Sequence, residues 1–377
     1  MNIKPFHTER FFAVHEFSAP YILCASDCES MSVGELLEMA GEPSPWQVLD
    51  ELWLGYTESQ GAPALREQIA ELYDSVDADQ IVGLSAPEEG IFVTMHALLE
   101  AGDEVVALTP CYDSLVNVAE YLGCRVARWC LTDGSGGWRL DLDALEQLVT
   151  PRTKLVVVNF PHNPTGYLPS HDEWRAIVQI VERVGAWLFS DEMYRCLEYD
   201  PAARLPSGCD VYERAITLAG LSKAYGLPGL RAGWLALSDP SLRDRIMGWK
   251  DYTTICASAP AEVLAQVALR VSEQLAARSR AIVLDNLALA EPFFSRWESV
   301  FHWNRPMAGS VAFVGLRGRS ARDFSDDLVA EQGVVLLPSI GLGFGDGHVR
   351  FGLGRLNFGV GLEQLGHYLA RHERAVI

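Results

Sequence analysis

Only four of the thirty basic side chains in this 377-residue sequence, Lys4, Lys154, Lys223 and Lys250, are lysines. Lys223 lies in Leu218-Ala219-Gly220-Leu221-Ser222-Lys223-Ala224-Tyr225-Gly226-Leu227-Pro228-Gly229-Leu230-Arg231. Residues 215–218 read as the end of a buried strand, and a Gly/Pro-rich turn follows the lysine. Lysine, unlike arginine, can shed its proton when desolvated. A neutral amine forms an imine with an aldehyde cofactor and afterwards works as a base. A lysine that snorkels out from a strand end fits the same stretch, so this segment alone leaves both readings open.

Three further stretches carry groups that would matter beside such an amine. Pro110-Cys111-Tyr112 offers a phenol, Asn163-Pro164-Thr165-Gly166 an amide, and Asp191-Glu192-Met193-Tyr194 a carboxylate and a phenol. Each follows an apolar run that reads as a strand: 104–108, 155–160 and 186–190. Between them lie helical patterns, such as 115–122 and 173–184. This alternation over 80–240 implies a mostly parallel sheet covered by helices, an α/β architecture. Ligands bind such sheets at the carboxyl ends of the strands, where all four stretches fall. Residues 241–295 read as helices. Residues 296–377 return to strand, helix and strand (311–314, 334–337, 349–353), which suggests a smaller α+β domain. Near the start, Ser30 is placed to cap a short helix, and Pro63 to open another.

Composition narrows the function. Hydrophobic residues make up 49% and charged residues 21%, enough for a large core. The formal net charge of −20 argues against nucleic acid and against an anionic membrane surface. The eight cysteines form no CxxC pair and show no zinc-type spacing with histidine, so no metal is expected. Without a signal-peptide pattern or a membrane-length apolar run, a cytoplasmic location is expected. Gly341-Leu342-Gly343-Phe344-Gly345-Asp346-Gly347 is glycine-rich but lacks the GxGxxG spacing of a dinucleotide site.

Together the Asn163, Asp191 and Lys223–Arg231 motifs resemble the class I/II aminotransferases, which are pyridoxal-phosphate enzymes of fold type I. Ser26-Asp27-Cys28-Glu29, Asn159-Phe160-Pro161-His162-Asn163 and Lys250-Asp251-Tyr252-Thr253-Thr254-Ile255-Cys256 are similar to a branch often likened to capreomycidine synthase. The resemblance implies a large cofactor-binding domain over 46–275 and a small domain built from 1–45 and 276–377. It implies that Lys223 holds pyridoxal 5'-phosphate and moves the α-proton of an L-amino acid. Asp191 would face the ring nitrogen, Asn163 and Tyr194 the ring hydroxyl, and Tyr112 the ring plane. Arg231, Ser222 and the turn Ala86-Pro87-Glu88 would hold the phosphate. Tyr56 would reach the phosphate of a second subunit, making a homodimer the working unit. Arg350, rather than Arg355, would clamp the substrate carboxylate, with Ser26 and Asp27 lining the substrate site. Asp27 and Glu29 hint at a cationic substrate, while His162 is expected to be structural.

The sequence departs from the family pattern in the phosphate cup. Many members have serine where this chain has Gly220, and Pro87 has no N–H to donate. The resemblance supports transamination first, with elimination, replacement or ring closure as the alternative.

Overall fold

The computed structural model describes residues 3–41, 47–134 and 136–373. Seven strands make the main sheet, in the spatial order Ile81–Leu84, Gly233–Leu237, Ala215–Gly220, Trp187–Asp191, Thr153–Asn159, Glu104–Thr109 and Arg125–Cys130. Every residue of Ala215–Gly220 and Trp187–Asp191 is buried, as expected of strands covered on both faces. The last five strands run parallel, and Gly233–Leu237 is inserted antiparallel between Ile81–Leu84 and Ala215–Gly220. The antiparallel return follows from the short Lys223–Arg231 turn, which leaves no room for a crossover helix.

The covering helices start and stop where their sequence dictates. His171–Val184 begins with a capping box between Ser170 and Glu173 and ends at Gly185, whose φ of 68° suits glycine. It buries Trp174, Ile177, Val178 and Val181 on one stripe. The helix Val33–Met39 is capped by Ser32, not by Ser30 as expected. The Ser32 hydroxyl accepts from the Glu35 N–H while the Glu35 carboxylate accepts from the Ser32 N–H, a reciprocal pair Ser30 is too far away to make.

A second sheet has the order Phe301–His302, Val311–Leu316, His348–Gly352, Leu337–Pro338 and is antiparallel throughout. A hairpin, Thr132–Gly134 with Gly137–Arg139, joins it from the edge of the main sheet. Its three-residue strands are too short to give a periodic signal. The expected domain boundary at residue 46 lies outside the described residues, and residue 275 falls within the continuous helix Ser272–Arg296.

The N-terminal chain then crosses between the sheets. Tyr21–Ile22 pairs in parallel with Val334–Val335. Beyond it, the Gly352 N–H donates to Leu23 O at 2.7 Å, and the Glu29 N–H to Gly354 O at 2.8 Å. A Cβ at residue 352 would stand 1.8 Å from the Ala25 carbonyl oxygen, so only glycine lets the two backbones lie this close. This passage delivers Ser26 to Lys223. Gly352→Ala is expected to cost roughly 1–3 kcal/mol or more, by forcing the 23–29 segment off its seat. A denaturant melt reads the loss, and unchanged stability would show that the segment can yield.

Candidate active site

Four strand ends meet, and a chain of hydrogen bonds ties two of them to the second sheet. Asn159 and Asp191 are register partners at the ends of adjacent parallel strands. Asn159 Nδ2 donates to the Asp191 carbonyl at 2.9 Å, and Asn159 Oδ1 accepts from the Asn163 N–H at 2.8 Å. Asn163 Oδ1 in turn accepts from Arg350 Nη1 at 3.0 Å. Arg350 is 1% exposed, and its Nε and Nη2 donate to the Cys24 carbonyl at 3.2 and 2.8 Å. Its guanidinium also lies 5.7 Å from the Phe12 ring centroid. Among the described residues no carboxylate pairs with it.

The lysine amine reaches the same region. Lys223 Nζ, partly buried, donates to Ser26 Oγ at 2.9 Å, while Ser310 Oγ holds the Ser26 carbonyl at 2.6 Å. The Ser222 hydroxyl is buried and has no protein partner, so its hydrogen-bonding capacity is unspent. Asp191 is buried as well. Burial pushes its carboxyl up to about 7, against the pull of the Met193 N–H and the Lys223 charge. Tyr194 is buried three residues further on. His162 is buried, its Nδ1 faces Thr165 Oγ1 at 2.7 Å, and burial pushes the imidazole down to about 3, which suits a neutral structural residue.

The turn Ala86-Pro87-Glu88 opens the helix Pro87–Leu98, and no side chain caps it. Pro87 leaves the Glu88 N–H as the first donor of the helix. The neighbouring carboxylates turn to other partners. Glu89 accepts from the Ser85 N–H and from the Thr253 and Thr254 hydroxyls, and Glu88 accepts from Ser114 Oγ at 3.0 Å. Gly220 is explained by the same turn. A Cβ there would meet the Pro87 ring at 2.8 Å and the Ala232 carbonyl at 2.9 Å. Pro87 therefore takes up the space a larger residue at 220 would need.

Tyr112 is pinned by the N-terminal segment. Its hydroxyl donates to Glu9 Oε1 at 2.6 Å, and its ring lies 4.9 Å from that of Phe6. Arg231 and Tyr56 do not join this group within one chain. Arg231 is exposed and donates to the Pro228 carbonyl, and Tyr56 is 93% exposed. Asp27 and Glu29 are already engaged: Asp27 pairs with Arg355 at 2.8 Å, and Glu29 accepts the Leu356 N–H. Their hint of a cationic substrate therefore loses its basis. Glu16 lies in electrostatic reach of Asp27, Arg355, Glu9 and Lys223.

The family model described as "Aminotransferase class I and II" matches residues 23–371. The chain belongs to the class I and II aminotransferases. A solved structure of a PLP-dependent aminotransferase from Streptococcus suis superposes with a TM-score of 0.92 at 32% identity, covering 98% of this chain and 99% of that one. An arginine–pyruvate transaminase of Pseudomonas aeruginosa is 29% identical over 350 residues, 86% of this chain and 84% of that protein. Capreomycidine synthase of Streptomyces vinaceus is 28% identical over 360 residues, 95% and 92% respectively. This aminotransferase-family enzyme thus has the fold type I architecture, uses pyridoxal 5'-phosphate and acts on amino acids. An unspent hydroxyl at Ser222, a protonatable buried acid at Asp191 and an amine at Lys223 suit that cofactor chemically.

The sequence motifs include Asn159 without a role, and they give none to Glu9 or the Cys24 carbonyl. Asn159 tethers Asn163 to the Asp191 peptide, whereas Glu9 and Cys24 are brought in by a chain path no motif announces. One consequence is testable. Burial, despite the Ser114 bond, pushes the Glu88 carboxyl from 4.5 up to about 8. A raised carboxyl stabilises the fold at low pH and loses that contribution as pH rises through its folded value. Cofactor-free Glu88→Gln should therefore gain melting temperature relative to the parent at pH 8 more than at pH 5. Equal shifts at both pH values would show that Glu88 titrates normally.

Proposed function

We propose that the enzyme transfers the α-amino group of an L-amino acid with a cationic side chain to a keto acid, in the cytoplasm, as a homodimer. The observation that carries the reading is Arg350, a buried cation with only neutral partners, hydrogen-bonded through Asn163 and Asn159 to the peptide of Asp191. It is suited to a substrate carboxylate, which would supply the missing negative charge in a two-pronged contact. When bound, pyridoxal phosphate supplies an aldehyde and a ring that draws electrons from Cα. Lys223 would hold it and then carry the Cα proton on Nζ, with Ser26 orienting the amine. Asp191, at the carboxyl end of its strand, would share a proton with the ring nitrogen. Asn163 and Tyr194 would face the ring hydroxyl, and Tyr112, fixed by Glu9, would cover the ring. Ser222 and the Ala86–Glu88 turn would hold the phosphate, with Arg231 joining them by leaving its bond to the Pro228 carbonyl. The same reading keeps the large domain at 46–275 and the small one at 1–45 with 276–377.

The cationic substrate is supported by Glu16, in electrostatic reach of Lys223, and by the arginine named in one relative. Tyr56 would serve the site of a second copy. Trp53, Leu54 and Tyr252 are, like it, 79–93% exposed, more apolar surface than a solitary chain usually leaves in one region. Thr57 and Ser59 tie that loop to the carbonyls of Ala257 and Ile255. A monomeric mass in solution would remove the shared site. All eight cysteines are unbridged, which fits a reducing compartment. Among the described residues no helix is long and apolar enough to cross a membrane. A second reading, ring closure or elimination, is supported by the likeness to capreomycidine synthase over nearly the whole chain.

The test has two steps. Purified protein should show a visible absorbance band that Lys223→Ala abolishes. Incubation with arginine, lysine, alanine and aspartate, with and without pyruvate, should then yield keto acid beyond one equivalent per active site only when the acceptor is present, and fastest from the cationic donors. Multiple turnovers without an acceptor would favour the second reading, and preference for aspartate would overturn the cationic one.

A further inference from the structure

A row of three residues crosses the second sheet. Gly315 is in register with His302 on one side and His348 on the other. A side chain at 315 would stand between the imidazoles, its Cβ 3.1 Å from His302 Cβ and 3.4 Å from His348 Nε2. Asp133, from the hairpin at the edge of the main sheet, meets both imidazoles. Its Oδ1 accepts from His302 Nε2 at 3.2 Å and from Asn304 Nδ2 at 2.6 Å, and its Oδ2 accepts from His348 Nε2 at 3.0 Å. An ionised carboxylate only accepts, so both Nε2 atoms carry a hydrogen. Burial opposes the charge, yet the bonds from His348 and Asn304 hold Asp133 below the usual carboxylate range.

The hairpin adds a second grip. Trp138, register partner of Asp133, lies 5.7 Å from the His348 ring and 5.8 Å from Phe313, and Phe344 lies 5.2 Å from His348. Asp133, His302 and His348 are the titratable groups in these contacts. Asn304, Trp138, Phe313 and Phe344, which surround them, are neutral.

His348 and Arg350 are two residues apart on one strand and therefore share a face. We infer that Asp133 is a positioning residue for substrate binding: by clasping His302 and His348 it fixes the strand that carries Arg350 relative to Asn163 on the main sheet. The inference rests on reading Arg350 as the substrate-carboxylate clamp. The guanidinium spans from one sheet to the other, and its two anchors, Asn163 and Cys24 O, lie outside its own strand. A strand free to shift would bring the same side chain to the wrong height. Displacements of about 1 Å at such a group can cost up to about 100-fold, and at a group that binds the donor the loss appears in kcat/KM through KM.

Steady-state kinetics of the cofactor-loaded enzyme, with donor amino acid varied at saturating keto acid, tests this. Asp133→Ala should raise the donor KM about tenfold or more, leave kcat within about twofold, and leave the visible band and cofactor affinity unchanged. Asp133→Asn, which keeps an acceptor for His302 and Asn304, should fall between. If Asp133→Ala does not fold, the same split read on Asp133→Asn decides. An unchanged KM overturns the inference, and so does a loss of cofactor affinity and melting temperature in step with KM, the mark of a merely structural tie. Arg350→Lys separates the two levels. If it raises KM while the Asp133 variants do not, only the clasp has failed, and if it leaves KM alone, the clamp reading itself has failed.

Discussion

Arg350 carries a full positive charge at 1% exposure, and its protein partners are a peptide carbonyl and an amide oxygen. Taking a guanidinium out of water costs several kcal/mol even after relaxation, and neutral dipoles return only part of it. Such a charge persists because the surroundings are built around it. The N-terminal chain lies on Gly352 so that Cys24 presents its carbonyl, and the turn after Thr153–Asn159 presents Asn163. The part of that cost the neutral dipoles do not return favours binding of an anion, which is how a site gains selectivity for a carboxylate.

The buried acid is the opposite half of the design. Asp191 lies at the end of a fully buried strand, where burial favours its protonated form and the nearby amine pulls the other way. A cationic heterocycle beside it would shift that balance toward the charged form. The phosphate end is arranged differently. Pro87 removes one N–H and fills the space above Gly220, so the two departures from the family pattern are one packing solution. What this packing leaves free at the turn is the Glu88 N–H and the Ser222 hydroxyl, which has no protein partner.

Much of this was legible in the sequence because it resides in strand ends. Apolar runs followed by Asn163, Asp191 and Lys223 marked the carboxyl edge of a parallel sheet, and the edge is where they lie. What stayed hidden depends on contacts between residues far apart in the chain. Tyr112 to Glu9, Arg350 to Cys24 and Asp133 to two histidines are pairings that no periodicity encodes. The cap on the helix Val33–Met39 moved from Ser30 to Ser32 because a reciprocal bond with Glu35 decides it, and spacing alone does not rank two nearby serines. Asp27 shows the converse: its type suggested substrate contact, and Arg355 had already claimed it.

Arg350 and Asp191 matter to catalysis only if the Lys223 amine is the one that carries the cofactor. Borohydride reduction of the loaded enzyme, followed by peptide mass mapping, locates that attachment directly. The account predicts a single reduced pyridoxyl adduct on the peptide containing Lys223 and none on the peptides of Lys154 or Lys250. An adduct on Lys250, which is also buried, or on no lysine at all, would contradict it.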